Sequence, residues 1–400
     1  MNVIMTRRIL PVGQGAFYLE RFYNCDGNPS FTMVYDCGAY PGKRYVKREI
    51  ERNFKKDESV DIVFISHLDA DHVNGLMDLL RRCQVKCIVY PLLEDGEYQL
   101  AWVKNKINFR DSFSESFLRD AKEAIKQLKL PYELKLIKVK KYERRSEPDP
   151  FKTIEIEGDG LKLSNGQDTI ESGSRILLHV SKIRGQVDGD LKWLFSPLNY
   201  QHDSQLQKFD NLLTAEFGSA FRIKDLPQYW VKSEENQRKI KSAYEKLAGG
   251  TNVNSMTLYS GPQSSTDASL LVTRVCSSSC YSCALPWCDQ WVQAGCLYTG
   301  DYCAAVPENW QALDAWRKQF EDCIGGVQLP HHGSILSFNK KLIREGCVYF
   351  ASVGETNKHG HPSGKVCEEL RLSSKCFHIV TESLTSELDS IVYETLASAS

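Results

Sequence analysis

The chain has 400 residues, 42% hydrophobic and 25% charged, an ordinary globular mixture with enough apolar material for a large core. Its formal net charge of -1 excludes a global polycationic field for nucleic acid, so any such contact has to come from local patches. No apolar run reaches membrane-spanning length, and the opening "MNVIMTRRILPVGQG" holds too short an apolar stretch for a secretory signal; with fourteen cysteines, the expectation is a cytoplasmic protein whose thiols are free or metal-bound, with no membrane partner.

Residues 1–40 read as an antiparallel meander. "RRILPVGQGAFYLERFY" gives a strand, a glycine turn and an alternating strand, and "SFTMVYDCGAYPG" gives a third that ends at Asp36, Cys37 and Gly38. Gly13 and Gly15 fit a plain tight turn as well as a ligand-binding one. Residues 43–56, "KRYVKREIERNFKK", predict a basic surface helix with Tyr45, Ile50 and Phe54 inward.

The stretch "IVFISHLDADHVNGL" (62–76) organises the rest. A short apolar run reads as a buried strand, and Leu76, Leu79 and Leu80 begin a helical stripe. His67, Asp69, Asp71 and His72 lie between them, where open sheets place their ligands. Imidazole beside carboxylate suits a borderline or hard divalent ion, zinc or manganese. Four ligands in six residues are crowded for one ion and suggest two. Asp and Ser also cap helices for ordinary reasons, but H-x-D-x-D-H directly after a buried strand favours metal.

"KCIVYPLL" (86–93) is the next buried strand. Residues 110–130 predict one helix, with Ser112 and Glu115 at capping-box spacing, Pro131 after its end, and Phe117, Ala121, Ile125 and Leu128 as its core stripe. Residues 134–145 read as a strand and a basic cluster, followed by short strands with glycine turns. Residues 198–265 read as an insertion of loops and one polar helix near 234–248, with room for a protein partner.

"ASLLVTRV" (268–275) and "GCLYTGD" (295–301) are expected to pair, the second ending at Asp301. Between and beside them fall Cys276, Cys280, Cys283, Cys288, Cys296 and Cys303; Cys276, Cys280, Cys283 and Cys288 are candidates for an additional structural zinc in a cysteine-rich loop over 276–296, against a plain metal-free excursion. "GGVQLPHHGS" ends a strand at His331 and His332, and "CVYFASVGETNKHGHPSG" ends one at His359 and His361. Six of the nine histidines therefore lie in strand-end loops, where core-filling histidines would scatter. Asp301 is expected to bridge two ions, and His331 or His332 to complete the second ion's ligands. Asp71 is the central catalytic carboxylate, and His361, or else His359, is placed to bind a charged substrate oxygen or protonate a leaving group. A two-ion site makes a hydroxide at neutral pH and clamps an in-line displacement.

The motifs "VGQG", "VYDCG", "SHLDADHVNGL", "TGD", "PHHGS" and "SVGETNKHGHPS" together resemble the metallo-β-lactamase-fold hydrolases, and more narrowly the soluble metallo-β-lactamase-like domain of ComEC. The resemblance covers residues 10–92 and 268–372 and leaves 93–267 largely unmatched. It implies an α+β fold, a four-layer αββα sandwich formed by one domain over 1–400 with 198–265 as a large insertion. It implies that His67, Asp69, Asp71, His72, Asp301 and a histidine of "PHHGS" hold the metals, with Asp36 supporting them from behind. Where the broad family has H-x-H-x-D-H, this chain has Asp69, as ComEC-like members do, which hardens the site toward manganese. The family's further histidine before the "TGD" aspartate has no clear counterpart. His179 and His202 are nearest by position, and without that ligand one ion is expected to fill weakly, with substrate present. ComEC proper has many membrane spans, so this chain reads as a free-standing relative, a type that resembles components of bacterial defence systems.

The function expected is therefore a metal-dependent hydrolase, first of all a phosphodiesterase or nuclease. The basic stretches 43–56 and 134–145, with Tyr45, Phe54 and Tyr142 among them, would guide a nucleic-acid strand. The alternatives are hydrolysis of a small ester, lactone, thioester or nucleotide signal, and a non-catalytic interaction module that kept its ligands.

Overall fold

The computed structural model describes residues 2–109, 111–143, 153–157, 160–161, 167–185, 191–200, 204–247, 255–277, 288–373 and 375–395. Two mixed sheets lie face to face. The first has ten strands in the order Thr169–Ile170, Lys135–Val139, Cys87–Pro91, Ile62–Phe64, Pro29–Tyr35, Tyr18–Tyr23, Asn2–Ile9, Leu388–Glu394, Leu271–Ser277 and Cys288–Val292. The second has nine, in the order Gly160–Leu161, Thr153–Glu157, Arg175–His179, Lys192–Leu198, Thr257–Pro262, Gly295–Tyr298, Ile324–Gln328, Val348–Ser352 and Cys376–Val380.

The alternation of residues 1–35 does produce an antiparallel meander, Asn2–Ile9 with Tyr18–Tyr23 and then Pro29–Tyr35. From Pro29–Tyr35 the pairing turns parallel through Ile62–Phe64 and Cys87–Pro91. The second sheet is likewise parallel from Gly295–Tyr298 through Ile324–Gln328 to Val348–Ser352. Parallel strands end on the same side, so the loops after residues 35, 64, 298, 328 and 352 emerge along one rim.

Between the sheets lies an aromatic core that includes Tyr18, Phe22, Phe64, Trp193, Phe195, Tyr298 and Phe350. A polar clamp joins the sheets inside it. Glu20 accepts from Arg7 Nε at 2.7 Å, from Ser260 Oγ at 2.6 Å and from Tyr298 Oη at 2.8 Å, all buried. Glu20→Ala should leave the Arg7 guanidinium buried without its carboxylate and cost about 3–5 kcal/mol, read as a lower urea midpoint with an unchanged site.

Helices cover both outer faces. Pro307–Arg317 and Gly364–Leu372 bury Trp310, Leu313, Trp316, Val366 and Leu370 against the second sheet. On the first sheet, Arg44–Asn53 turns Val46 and Ile50 inward and Phe54 follows them into the core. Three cations here are tied down, Lys43 to Asp111 at 2.6 Å, Arg48 and Arg52 each to Glu49 at 2.7 Å, and Arg52 also to Glu387, while Arg44 and Lys47 are exposed.

Several expectations are corrected. The helix over 110–130 starts on Asp111, whose carboxylate accepts from Ser114 N at 2.8 Å, so Ser112 and Glu115 form no capping box. It also breaks at Asp120, where an extended residue caps a second helix, Ala121–Gln127, by accepting from Glu123 N at 3.0 Å. A short acidic side chain that bonds its own downstream backbone competes with helix continuation. Residues 198–265 are not one helix with loops. Ser204–Phe217, Leu226–Lys232 and Glu234–Glu245 bury Phe209, Leu213, Leu226 and Ile240 in the same cluster as Leu100 and Trp102, and Thr257–Pro262 is an interior strand of the second sheet. Residues 268–275 and 295–301 do not pair. Leu271–Ser277 pairs with Leu388–Glu394 and with Cys288–Val292 in the first sheet, while Gly295–Tyr298 belongs to the second. No helix among the described residues is long and apolar enough to cross a membrane.

Candidate metal centre

The centre is built on the shared rim. The first sheet brings Asp36 at the end of Pro29–Tyr35 and His67 and Asp69 after Ile62–Phe64. Asp71 and His72 follow on the first turn of the short helix Ala70–Val73, so the ligands run past the loop into the helix. The second sheet brings Asp301, His331, His332 and His361. Glycine is needed where the two first-sheet segments meet: a Cβ on Gly38 would lie 2.3 Å from the carbonyl oxygen of Asp71, and one on Gly15 (φ 127°) 2.6 Å from the same atom. Cys37 N donates to His72 O at 2.8 Å and Gly75 N to Cys37 O at 2.9 Å, locking "DCG" to the ligand turn. His331 and His332 are held at φ 49° and 56°, followed by Gly333 at 80°, a left-handed run that costs non-glycine residues energy and that clusters at functional sites. His331 N donates to Gly300 O at 2.9 Å, which ties this turn to the Asp301 turn.

Three overlapping ligand groups converge: His67, His72 and Asp301; Asp71, His72 and His332; and His67, Asp69 and Asp71. Asp301 stands between them. Its Oδ1 lies 3.5 Å from His72 Nε2 and 3.7 Å from His332 Nε2, and its Oδ2 lies 3.7 Å from both His67 Nε2 and His331 Nε2. Asp71 Oδ2 is 4.0 Å from His72 Nε2 and from His332 Nε2. Ligands about 2.1 Å from a tetrahedral ion are about 3.4 Å apart, so this spacing suits one ion.

The chemistry of the donors fits as well. His67 Nε2, His72 Nε2, His332 Nε2 and Asp71 Oδ1 are buried with no hydrogen-bond partner, an arrangement that is costly unless a cation uses those lone pairs. His72 Nδ1 donates to Asp36 Oδ2 at 2.8 Å and His332 Nδ1 to Ser352 O at 2.8 Å, which leaves each Nε2 a free donor to metal. Asp36 also accepts from Ser66 N and Ser66 Oγ at 2.7 Å, and Ser66 Oγ lies 2.9 Å from His67 Nδ1. One buried carboxylate therefore orients both histidines of the motif. Asp36→Asn should weaken metal affinity by about 10–100-fold, measurable by titration of the stripped protein.

Electrostatics divide the site. Burial alone opposes charge on His72, but the carboxylates of Asp36, Asp301 and Asp71 raise its pKa above the ordinary value. Burial lowers His332, and it lowers His331 to about 3 against the pull of Asp301. Burial would raise Asp301, yet the surrounding histidines hold its carboxyl well below the usual range. Asp69 is depressed despite its burial because Lys104 Nζ is paired with its Oδ2, while His67 Nε2 lies 3.2 Å from that same oxygen.

At the mouth, the ring of half-buried His361 is centred 5.2 Å from that of His331 and 6.2 Å from that of His332. Burial lowers its pKa to about 4, and its Nδ1 has no partner. Asn357 holds the backbone on both sides, accepting from His361 N at 3.0 Å and donating to His361 O at 2.9 Å. His359 is exposed, 5.8 Å from His361 ring to ring.

Some expected residues do not join. His179 pairs with Glu155 at 2.7 Å, at the end of its own strand. His202 lies outside the described residues. Of the structural-zinc candidates, Cys276 closes Leu271–Ser277 and Cys288 opens its partner strand, while Cys280 and Cys283 lie outside the described residues. Sequence reasoning missed Lys104, Ser66 and Asn357. Ser66 could have been read from its place between the strand and the motif; Lys104 carries no sequence signal.

The sandwich and its rim are those of the metallo-β-lactamase fold. Residues 23–164 match the family model described as Metallo-beta-lactamase superfamily. A solved chain titled "Crystal structure of unliganded yeast PDE1" is similar at 11% identity and a TM-score of 0.40, over 98% of this chain and 100% of that one; a likeness of that level carries no argument about activity. None of the curated proteins matches this chain.

Proposed function

We propose that the protein is a metal-dependent hydrolase of phosphodiesters, of the ComEC-like branch. The observation that carries this reading is the cage of Asp71, His72, Asp301 and His332, whose histidine Nε2 atoms face inward without partners, with a lysine ammonium beside it. A divalent ion of zinc or manganese type bound there supplies activation of water and polarisation of the scissile group. The chain's own residues do the rest. Asp36, Ser66 and the Ser352 carbonyl fix the tautomers of the ligand histidines. Lys104 holds the Asp69 carboxylate in place and compensates its charge. His361, neutral near pH 7 and with Nδ1 unpartnered, is placed to accept the proton released by the attacking water. The oxygen-rich ligand set favours phosphate over softer groups.

A small diester is favoured over a long strand by one observation: at the basic helix Arg44–Asn53, Arg48 and Arg52 are spent on Glu49 and Glu387 and the capping Lys43 on Asp111, which leaves only the exposed Arg44 and Lys47 of its cations to a phosphate backbone. Metal-loaded protein should be assayed in parallel on single-stranded DNA, RNA, bis-(p-nitrophenyl) phosphate, a thioester and a lactone. Cleavage of phosphodiesters supports the proposal. Turnover of the thioester or lactone with every phosphodiester left intact overturns it in favour of small-ester hydrolysis. Failure to bind zinc or manganese at all would leave an interaction module.

A further inference from the structure

The two sides of Asp301 are not equivalent. On one side Asp71, His72 and His332 form one ligand group, Asp301 Oδ1 lies 3.5 and 3.7 Å from the two imidazoles, and both imidazoles are locked in the metal-binding tautomer. On the other side Asp301 Oδ2 faces His67 and His331, and the remaining carboxylate, Asp69, carries a lysine ammonium. The neighbouring serine brings no further ligand, because Ser255 Oγ accepts from Asp301 N at 2.9 Å.

Lys104 is not a stray surface cation. Its side chain is 11% exposed. It is the last residue of the helix Asp95–Lys104, immediately before the single π-turn Asn105–Phe109; such turns re-aim side chains and recur at functional sites. The helix itself is anchored by Leu100 and Trp102 in the core shared with the helices of 204–247. The ammonium is thus delivered to Asp69 by a rigid element.

We propose that Lys104 is the resident cation of the His67 side, so that this centre binds a single divalent ion tightly, on Asp71, His72, Asp301 and His332, with the lysine where a second ion would otherwise compensate Asp69. The inference rests on the metal-hydrolase reading and revises the expectation of two ions, one of them filling weakly with substrate present. An ion on the His67 side has to share Asp69 with an ammonium already seated on it, and like charges a few ångströms apart repel strongly where water is scarce.

The test is stoichiometry, read without any assay of turnover. Purified full-length chain is stripped, loaded with excess zinc or manganese, freed of unbound ion and analysed for metal per chain, with a calorimetric titration in parallel. The wild type should hold one ion. Lys104→Gln should take up a second, with an affinity at least about tenfold below the first because it has to share Asp301 with an ion already bound, while Lys104→Arg, which keeps the charge, should stay at one. Two ions of comparable affinity in the wild type overturn the inference and leave the hydrolase reading standing, as does a single ion in Lys104→Gln whose circular dichroism is that of the wild type. No ion in the wild type overturns the metal centre itself. If Lys104→Gln fails to fold, the wild type and Lys104→Arg decide: one ion in each supports the inference, two in either overturns it.

Discussion

Replacing Asp301 with asparagine is expected to lower hydrolysis by about a thousandfold or more while leaving the fold intact, because removing a ligand charge worth several kcal/mol at the reacting centre costs about one factor of ten per 1.4 kcal/mol. The asparagine has the shape of the aspartate but not its charge, and its amide can present hydrogens where His72 and His332 present lone pairs. Asp301 Oδ1 lies 3.5 and 3.7 Å from those nitrogens, so the substitution acts on metal affinity and turnover together. Asp71→Asn should behave alike, since Asp71 Oδ2 lies 4.0 Å from both histidines. Metal content and steady-state rates on the same preparations check this, with circular dichroism as the folding control. Wild-type-like turnover in either variant would refute the role assigned to the cage.

The second large effect is on stability. Metal-stripped protein should become markedly less stable as pH falls from about 6.5 toward about 4. The folded chain keeps His331, His332 and His361 neutral, with His331 at about 3 and His361 at about 4, because burial opposes their charge. The unfolded chain takes up a proton at each near the ordinary histidine value. The unfolded state then binds more protons, so stability falls with falling pH through that window. His72 acts in the opposite sense. Its folded pKa is raised, so its contribution is present below the ordinary value and is lost as pH rises through the folded one, and it offsets part of the loss. Three groups against one leave a net destabilisation on the order of a few kcal/mol, with half-buried His361 discounted because water screens it. The depressed carboxyls of Asp69 and Asp301 act lower still: their stabilisation is present above about pH 4 and fades only as pH falls through their folded values. Urea midpoints at pH values of about 7.5, 6 and 5 measure the effect, and His331→Gln should flatten it. Equal midpoints across that range would show that the histidine turn is not held neutral.

Much of the centre was legible because it lies on a repeated pattern. His67, Asp69, Asp71, His72, Asp301 and the pair His331 and His332 each come after a short apolar run, and parallel strands bring the residues at their carboxyl ends to one rim. Asp36 was legible for the same reason, at the end of Pro29–Tyr35. Lys104 was not, because it ends a helix 32 residues beyond His72 and nothing in one dimension tells that its side chain turns back onto Asp69. Thr257–Pro262 was missed because a six-residue run containing Ser, Gly and Pro has little strand signal, and its neighbours in the sheet, not its own residues, make it a strand. Pairing 268–275 with 295–301 failed because sequence neighbours were taken for sheet neighbours; the chain changes sheets between Val292 and Gly295.

Asn2–Ile9 lies hydrogen-bonded between Tyr18–Tyr23 and Leu388–Glu394, and Leu388–Glu394 in turn carries Leu271–Ser277. The ten-stranded sheet therefore cannot close during synthesis until residues 388–394 have been made, however early its amino-terminal half is made. A nascent or truncated chain that stops before residue 388 presents two bare edges at once, along Asn2–Ile9 and along Leu271–Ser277, each a template for a foreign strand. Leu388–Glu394 is thus the keystone against self-association, and a chain cut short before it should aggregate.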